Sequence, residues 1–328
     1  MGANQNCRKE EKEIKNIIIG KIKITNNLRQ KLIGSNENAK IEKYFDLIKF
    51  KAKGNQLEIK DCAIYINGIR IYITYYDEFQ NDFAYYYNFQ KEGIYTIKFV
   101  FKKLFKSTNF MFFDCNSYVY LDLSNFNTKN VTEMQYMFYG CSSLKSINFS
   151  NFDTQSVINM TGMFYGCNQL ETLNLSKFNT QKVTDMKKMF YDCNKLNSLD
   201  LSNLNIQNTT NIGYMFNDCK SLKSLNLSNF NTQNVKNMEY LFSGCELLTS
   251  LDLSNFNTQN VVNMSYMFNK CSSLISLDIT NFSTQKVKDM QSIFAECSKI
   301  KTLDLTNFNT QNVTNMRNMF LSCFHVNH

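Results

Sequence analysis

Histidine is nearly absent: the 328 residues contain two, His325 and His328, both at the C-terminal end. A catalytic triad or metal cluster built on imidazole therefore cannot assemble within the fold. The chain also has no glycine-rich phosphate loop and no C-x-x-C pair, which argues against P-loop and dithiol chemistry. Its carboxylates are plentiful but recur at solvent slots of a repeat. The chain thus reads as a non-enzyme with no cofactor. No apolar run approaches the roughly 20 residues needed to span a bilayer. Met1–Lys15 is polar and charged, which predicts no secretion signal.

What the chain does have is a period. Nine of its 11 cysteines, from Cys115 through Cys141, Cys167, Cys193, Cys219, Cys245, Cys271 and Cys297 to Cys323, are spaced 26 residues apart. Only Cys7 and Cys62 fall outside the series. A leucine slot repeats in step, at Leu121, Ile147, Leu173, Leu199, Leu225, Leu251, Leu277 and Leu303. A fixed period of about 20–50 residues marks stacked repeats, none of which can bury its apolar side chains alone.

One unit shows the logic. Leu248–Phe256, LTSLDLSNF, has an L-x-x-L-x-L-x-x-F pattern whose centre alternates as a strand does. It matches the leucine-rich repeat, with Phe in the slot that often carries Asn. Asn257-Thr258-Gln259-Asn260 is a polar corner. Val261, Met264, Met267, Phe268 and Cys271 then recur at helical spacing and predict a short helix or 3₁₀ turn. Gly140, Gly166 and Gly244 suit its C-terminal end. The expected fold class is α/β: a solenoid of 26-residue units, parallel strand plus short helix, over residues 95–328. The cysteine column is read as packing, since equivalent side chains in a stack point the same way and not at each other. The unit at 199–219 is expected to be the weakest. It carries Thr209 in the Val slot, Ile212 in a Met slot, and Gly213 inside the helix, where Gly costs about 1 kcal/mol against Ala.

Residues 1–94 lack the repeat. Residues 1–15 read as a disordered tail and 16–94 as a β-rich capping domain. Ile17–Ile24 is a strand, Ala63–Ile73 a hairpin with Asn67-Gly68 at its tip, and Phe83–Phe89 with Ile94–Phe101 a second pair. Ser35–Asp46 reads as a short helix capped by Ser35. Tyr95–Val100 occupies the strand slot of a degenerate first unit, so the β-domain is expected to cover the first edge of the stack. At the other end Val326 falls on the next leucine slot and the sequence stops at His328. That leaves an uncapped edge, expected to mean that the sequence is a fragment or that the edge meets a partner or forms a homodimer.

Charge divides the chain the same way. Residues 1–106 contain 20 Lys and Arg against 12 Asp and Glu, a net +8, and the remainder balances at 16 of each. An anionic membrane or nucleic acid would be attracted to the first part, although no compact basic run appears and nucleic acid is the less favoured partner. Tyr85-Tyr86-Tyr87 reads either as a base-stacking platform or as ordinary sheet aromatics. The start MGANQNC offers Gly2 for myristoylation and Cys7 for palmitoylation, with Asn6 where the motif wants Ser or Thr. The other reading is an ordinary polar tail. With no membrane span, the chain is expected to be membrane-associated or cytoplasmic.

The strand face is the candidate recognition surface. Its central slot carries Asp122, Asn148, Asn174, Asp200, Asn226, Asp252, Asp278 and Asp304. Ser254, Thr280 and Thr306 flank it two residues later. Consecutive carboxylates at 252, 278 and 304 would lie about 4.8 Å apart and repel. A basic protein partner or a cation would relieve them; the alternative is a solvated polar ladder. No metal site is assigned.

With LDLSNFNTQNVTNM, M-F-x-x-C and the following S-S-L in view, the repeats resemble BspA-type leucine-rich repeats over about residues 95–328. The resemblance implies an extended, non-enzymatic solenoid used for adhesion or protein binding, often at a cell surface. The alternative expectation is a membrane-anchored intracellular scaffold whose basic N-terminal domain binds anionic lipid or nucleic acid.

Overall fold

The computed structural model describes residues 16–25, 29–34, 62–71 and 84–323. Gly2, Cys7, the Ser35–Asp46 segment, Val326, His325 and His328 lie outside the described residues. The alternating run at Asn16–Ile24 forms β1, with Ile18, Ile22 and Ile24 buried. It pairs antiparallel with β6 (Gly93–Phe101) on one side and β7 (Tyr118–Asp122) on the other. β3 (Cys62–Ile66) and β4 (Ile69–Ile71) make the hairpin around Asn67 and Gly68, both at positive φ, as an Asn-Gly turn requires. β8 (Ser146–Asn148) completes a six-stranded sheet in the order β4-β3-β6-β1-β7-β8. β2 (Arg29–Gly34) and β5 (Ala84–Asn88) form a separate antiparallel pair. β5 therefore does not pair with β6, and β6 does not lie beneath β7 as the strand of a first unit. β1 intervenes.

From β7 onward the chain stacks upon itself in 26-residue steps. β7 pairs parallel with β8, and β9 (Ser198–Asp200) with β10 (Ser224–Asn226), in registers offset by one period. A second column of eight parallel bridges runs from Ser107↔Glu133 to Asp289↔Asn315. Between the columns lies one continuous core. Its spine is a stack of phenylalanine rings from Phe112 to Phe320, each 5.5–5.8 Å from the next. Burying each such side chain contributes roughly 1.5–3 kcal/mol. Proline is absent from the whole sequence, in keeping with a fold whose coils are joined by backbone N–H donors that proline would delete.

The expected strand-plus-helix unit is corrected here, because the described residues contain no helix. The stretch read as helical is a run of tight turns. Met267, Asn269 and Cys271 donate N–H to the carbonyls three residues back, at 3.1–3.2 Å. The intervening N–H groups of Met264, Tyr266, Phe268 and Lys270 donate instead to Asp289, Gln291, Ile293 and Ala295 of the next unit, at 2.7–3.0 Å. A helix keeps its backbone bonds internal; this column shares them alternately with its neighbour. Successive three-residue turns place apolar side chains at nearly the same spacing as a helix, so the periodicity fitted both.

The turn column requires left-handed backbone at two slots per unit. Tyr214, Tyr240 and Tyr266 hold the first (φ 55–59) and Asp192, Asp218 and Lys270 the second (φ 58–61). Gly140, Gly166 and Gly244 occupy that second slot, so their left-handed conformation belongs to a turn and not to a helix end.

The reasons given for a weak unit at 199–219 also fall. Gly213 sits in no helix, and buried Thr209 donates its hydroxyl to Val183 O at 2.9 Å. The same unit has a different defect. A buried Thr in the other corners, such as Thr258, bridges the next unit by donating to Ser283 O and accepting from Ser283 N–H, both at 2.8 Å. Here the slot is Ile206, and Asn231 N–H turns to Asn229 O at 3.0 Å.

Candidate recognition face

The strand slot read from the sequence is exposed from Asn174 onward, but each side chain in it already has a structural task. Asp252 Oδ1 accepts the N–H of Ser254 at 2.9 Å, closing the corner that follows the strand. Asp200 does the same for Ser202, Asp278 for Thr280 and Asp304 for Thr306, at 2.9–3.0 Å. Thr280 and Thr306 add hydroxyl bonds of 2.7 Å to the same carboxylates. Asn148, Asn174 and Asn226 make the equivalent bond with an amide oxygen. Asp and Asn alternate in the slot because either can accept this bond.

These bonds hold the carboxyls below the usual carboxylate range. For Asp200, Asp252 and Asp304 the backbone N–H is the larger cause and the neighbouring hydroxyl the second. For Asp278 the Thr280 hydroxyl leads, opposed by repulsion from Asp304 and Asp252. The column is an exposed row of Asp and Asn side chains, anionic at 252, 278 and 304, each tied to its own corner. Among the described residues no group of His, Cys, Asp and Glu is placed to hold a metal.

The cysteine column has a task as well. Cys141, Cys167, Cys193, Cys219, Cys245, Cys271 and Cys297 are free and buried. Each donates its thiol to the carbonyl of a phenylalanine 29 residues earlier, from Phe112 to Phe268, at 3.0–3.3 Å. That carbonyl also accepts the N–H of the cysteine in its own unit, so both its lone pairs are used. Burial raises all seven thiols, Cys271 to about 12.

Two surface features were not singled out from the sequence. The first is a polar groove of about 820 Å³ along the corners of three consecutive units, between Ser228 and Gln285. The second is a ladder of seven half-buried aromatic rings on the turn side. Phe113, Tyr139, Tyr165 and Tyr191 stack at 4.4–4.6 Å. The run passes at 6.2 Å to Tyr214 and continues through Tyr240 to Tyr266 at 4.6 and 4.3 Å. Lys187 and Lys188 both lie 5.3 Å from the Tyr214 ring, and Lys187 pairs with Glu239 at 3.0 Å. The Tyr slots differ between the two halves of the stack, which hid the ladder in the sequence.

A protein built of such stacked coils, with its side chains fixed in rows, defines a class by its repeat, and the repeat is matched by a known family. Residues 106–228 and 215–328 each match the family described as Mycoplasma protein of unknown function, DUF285, and the chain belongs to that family. This corrects the resemblance to BspA-type leucine-rich repeats: the matching family is a different one, and the helix-free unit does not fit the strand-plus-helix repeat. No curated protein and no solved structure matches the chain. No helix among the described residues is long and apolar enough to cross a membrane.

Proposed function

We propose that the chain is a non-enzymatic recognition protein, serving adhesion or protein binding through the strand-and-corner side of its coils. One observation carries this reading: the exposed strand slot repeats at a constant step from Asn174 to Asp304, each side chain locked by its own corner bond. A surface fixed before binding loses little conformational entropy on contact. The localisation that follows is membrane-associated or cytoplasmic, with Gly2 and Cys7, outside the described residues, as the candidate anchors on an inner face; adhesion at the cell surface is the alternative.

The test is saturable binding of the fluorescently labelled full chain to intact cells and to their isolated inner-face membranes. The parent is compared with an Asp252→Arg/Asp278→Arg/Asp304→Arg variant. Binding that the variant loses supports recognition through this face. Equal binding by both would sink it.

The concentration of the net +8 within residues 1–106 favours one second reading, an intracellular scaffold held on anionic lipid. That binding would require residues 1–106 and be abolished by removing anionic lipid from the vesicles, whereas binding through the coils would survive both changes.

A further inference from the structure

The corner groove has a chemistry that the recognition reading leaves unspecified. None of the 12 residues lining it is charged, and its one aromatic, Phe256, is only 3% exposed. Ionic ligands find no partner there and apolar ligands find no surface. What it offers is side-chain amides with one end spent.

Asn229, Asn255 and Asn281 donate their Nδ2 groups inward to carbonyls of the preceding unit, Asn255 to Ser228 O at 2.7 Å and Asn281 to Leu253 O at 2.9 Å. Their Oδ1 atoms accept no hydrogen bond within the described residues. In the next slot the polarity reverses. Asn231 and Asn257 accept the N–H of Gln233 and Gln259 on Oδ1, at 3.0 and 3.1 Å, which leaves Nδ2 as the available end. The groove is thus flanked by a row of acceptors and a row of donors, with the exposed tips of Gln233, Gln259 and Gln285 beyond.

Much of the backbone beneath is already committed. Ser254 N–H goes to Asp252, Asn257 N–H to Thr232 Oγ1 at 2.8 Å, and Gln259 N–H to Asn257. A peptide strand would find no continuous edge to pair with. A chain of hydroxyls, each able both to donate and to accept, meets both rows at once. The rungs repeat at about 4.8 Å, close to the length of one sugar ring in an extended chain. We propose that this groove binds a neutral oligosaccharide, lying along the stack across the corners of the units that begin at Leu225, Leu251 and Leu277. The proposal rests on the recognition reading and names its ligand class.

The purified full chain is titrated calorimetrically with cellohexaose, maltohexaose and N-acetylchitohexaose, beside the Gln233→Ala/Gln259→Ala/Gln285→Ala variant. Those glutamine side chains make no hydrogen bond within the described residues, so the variant keeps its fold, which the protection of its buried thiols verifies. At least one glycan should bind saturably and insensitively to salt, and the variant should bind it at least about tenfold more weakly, a change of about 1.4 kcal/mol. Binding by none of the three, or equal binding by parent and variant, overturns the proposal. Saturable binding of an uncharged peptide in place of every glycan overturns it too, while leaving the recognition reading standing.

Discussion

At the scale of single residues the stack is held by side chains that answer backbone groups of a neighbouring coil. Thr258 is the clearest case, since one buried hydroxyl satisfies both the N–H and the C=O of Ser283. Thr258→Val keeps the shape and strands both groups, so we expect a loss of about 1–3 kcal/mol in urea unfolding. An unchanged midpoint would show that water replaces the hydroxyl. The thiol column sets a pH limit. Its seven cysteines are raised by burial, whereas an unfolded thiol ionises near its ordinary value of about 8.5. Below that value both states hold the proton and stability is level. Above it the unfolded chain sheds protons that the folded chain keeps, so stability falls as pH rises toward Cys271's value of about 12. Each thiol contributes up to about 1.4 kcal/mol per pH unit. Melting temperature measured from pH 7 upward should be flat and then drop, and a flat profile throughout would contradict the buried thiol column. The exposed carboxylates behave otherwise. Asp252, Asp278 and Asp304 replaced together by Asn keep the corner bond, as Asn226 does at the same slot, and lose mutual repulsion. Stability should stay level or rise, whereas Ala at these positions should lower it.

At the scale of elements, the period, the strand slot and the Asn67-Gly68 hairpin were legible because each depends on local pattern: equal spacing, alternation, one dipeptide. The turn column was not. Apolar residues every three to four positions fit a helix and a chain of three-residue turns alike, and the choice depends on where each N–H finds its acceptor. A signal was present in the sequence: Asp, Gly, Tyr, Lys, Ser, Asn, Glu and Phe fill the left-handed slots, and no Val, Ile or Thr stands among the positive-φ residues. A β-branched residue there would be a steric outlier. Tyr266→Val, at φ 58 and stacked at 4.3 Å on Tyr240, should therefore cost more in urea unfolding than the lost ring contact alone, because a β-branched side chain tolerates this backbone less well than Tyr does. Lys270→Gly, at φ 61, should change stability by under about 1 kcal/mol, as lost strain offsets added chain entropy. Far-ultraviolet circular dichroism of the parent should lack the helical double minimum. The acidic column was legible as an exposed row, but its corner bonds were not, because a bond from a residue two places along leaves no mark in composition. The groove stayed hidden because its residues look like any polar corner until their bonded ends are known.

At the scale of the molecule, the question is how the repeats acquire an end. The first parallel rung, β7, would expose an unpaired edge, and β1 covers it antiparallel, with Ile17 N–H reaching Asn125 O at 2.8 Å and Lys23 N–H reaching Ser117 O at 2.9 Å. The Tyr118 hydroxyl donates to Leu32 O at 2.9 Å, tying the same rung to β2. At the far end Met316, in a slot buried in every earlier unit, is 46% exposed. The join depends on Gly20, which faces Leu121 in register and leaves no room for a Cβ, since one would collide with the Tyr118 ring. Gly20→Val should therefore cost at least about 1–3 kcal/mol through overpacking and should act on the seam first. Stacked coils touch only their neighbours, so a local defect need not spread. In limited proteolysis of the variant we expect cleavage within residues 16–101 while the buried thiols from Cys193 onward stay protected. If those thiols lose protection together with the N-terminal sheet, the sheet and the column unfold as one cooperative body, and the cap governs the stability of every coil behind it.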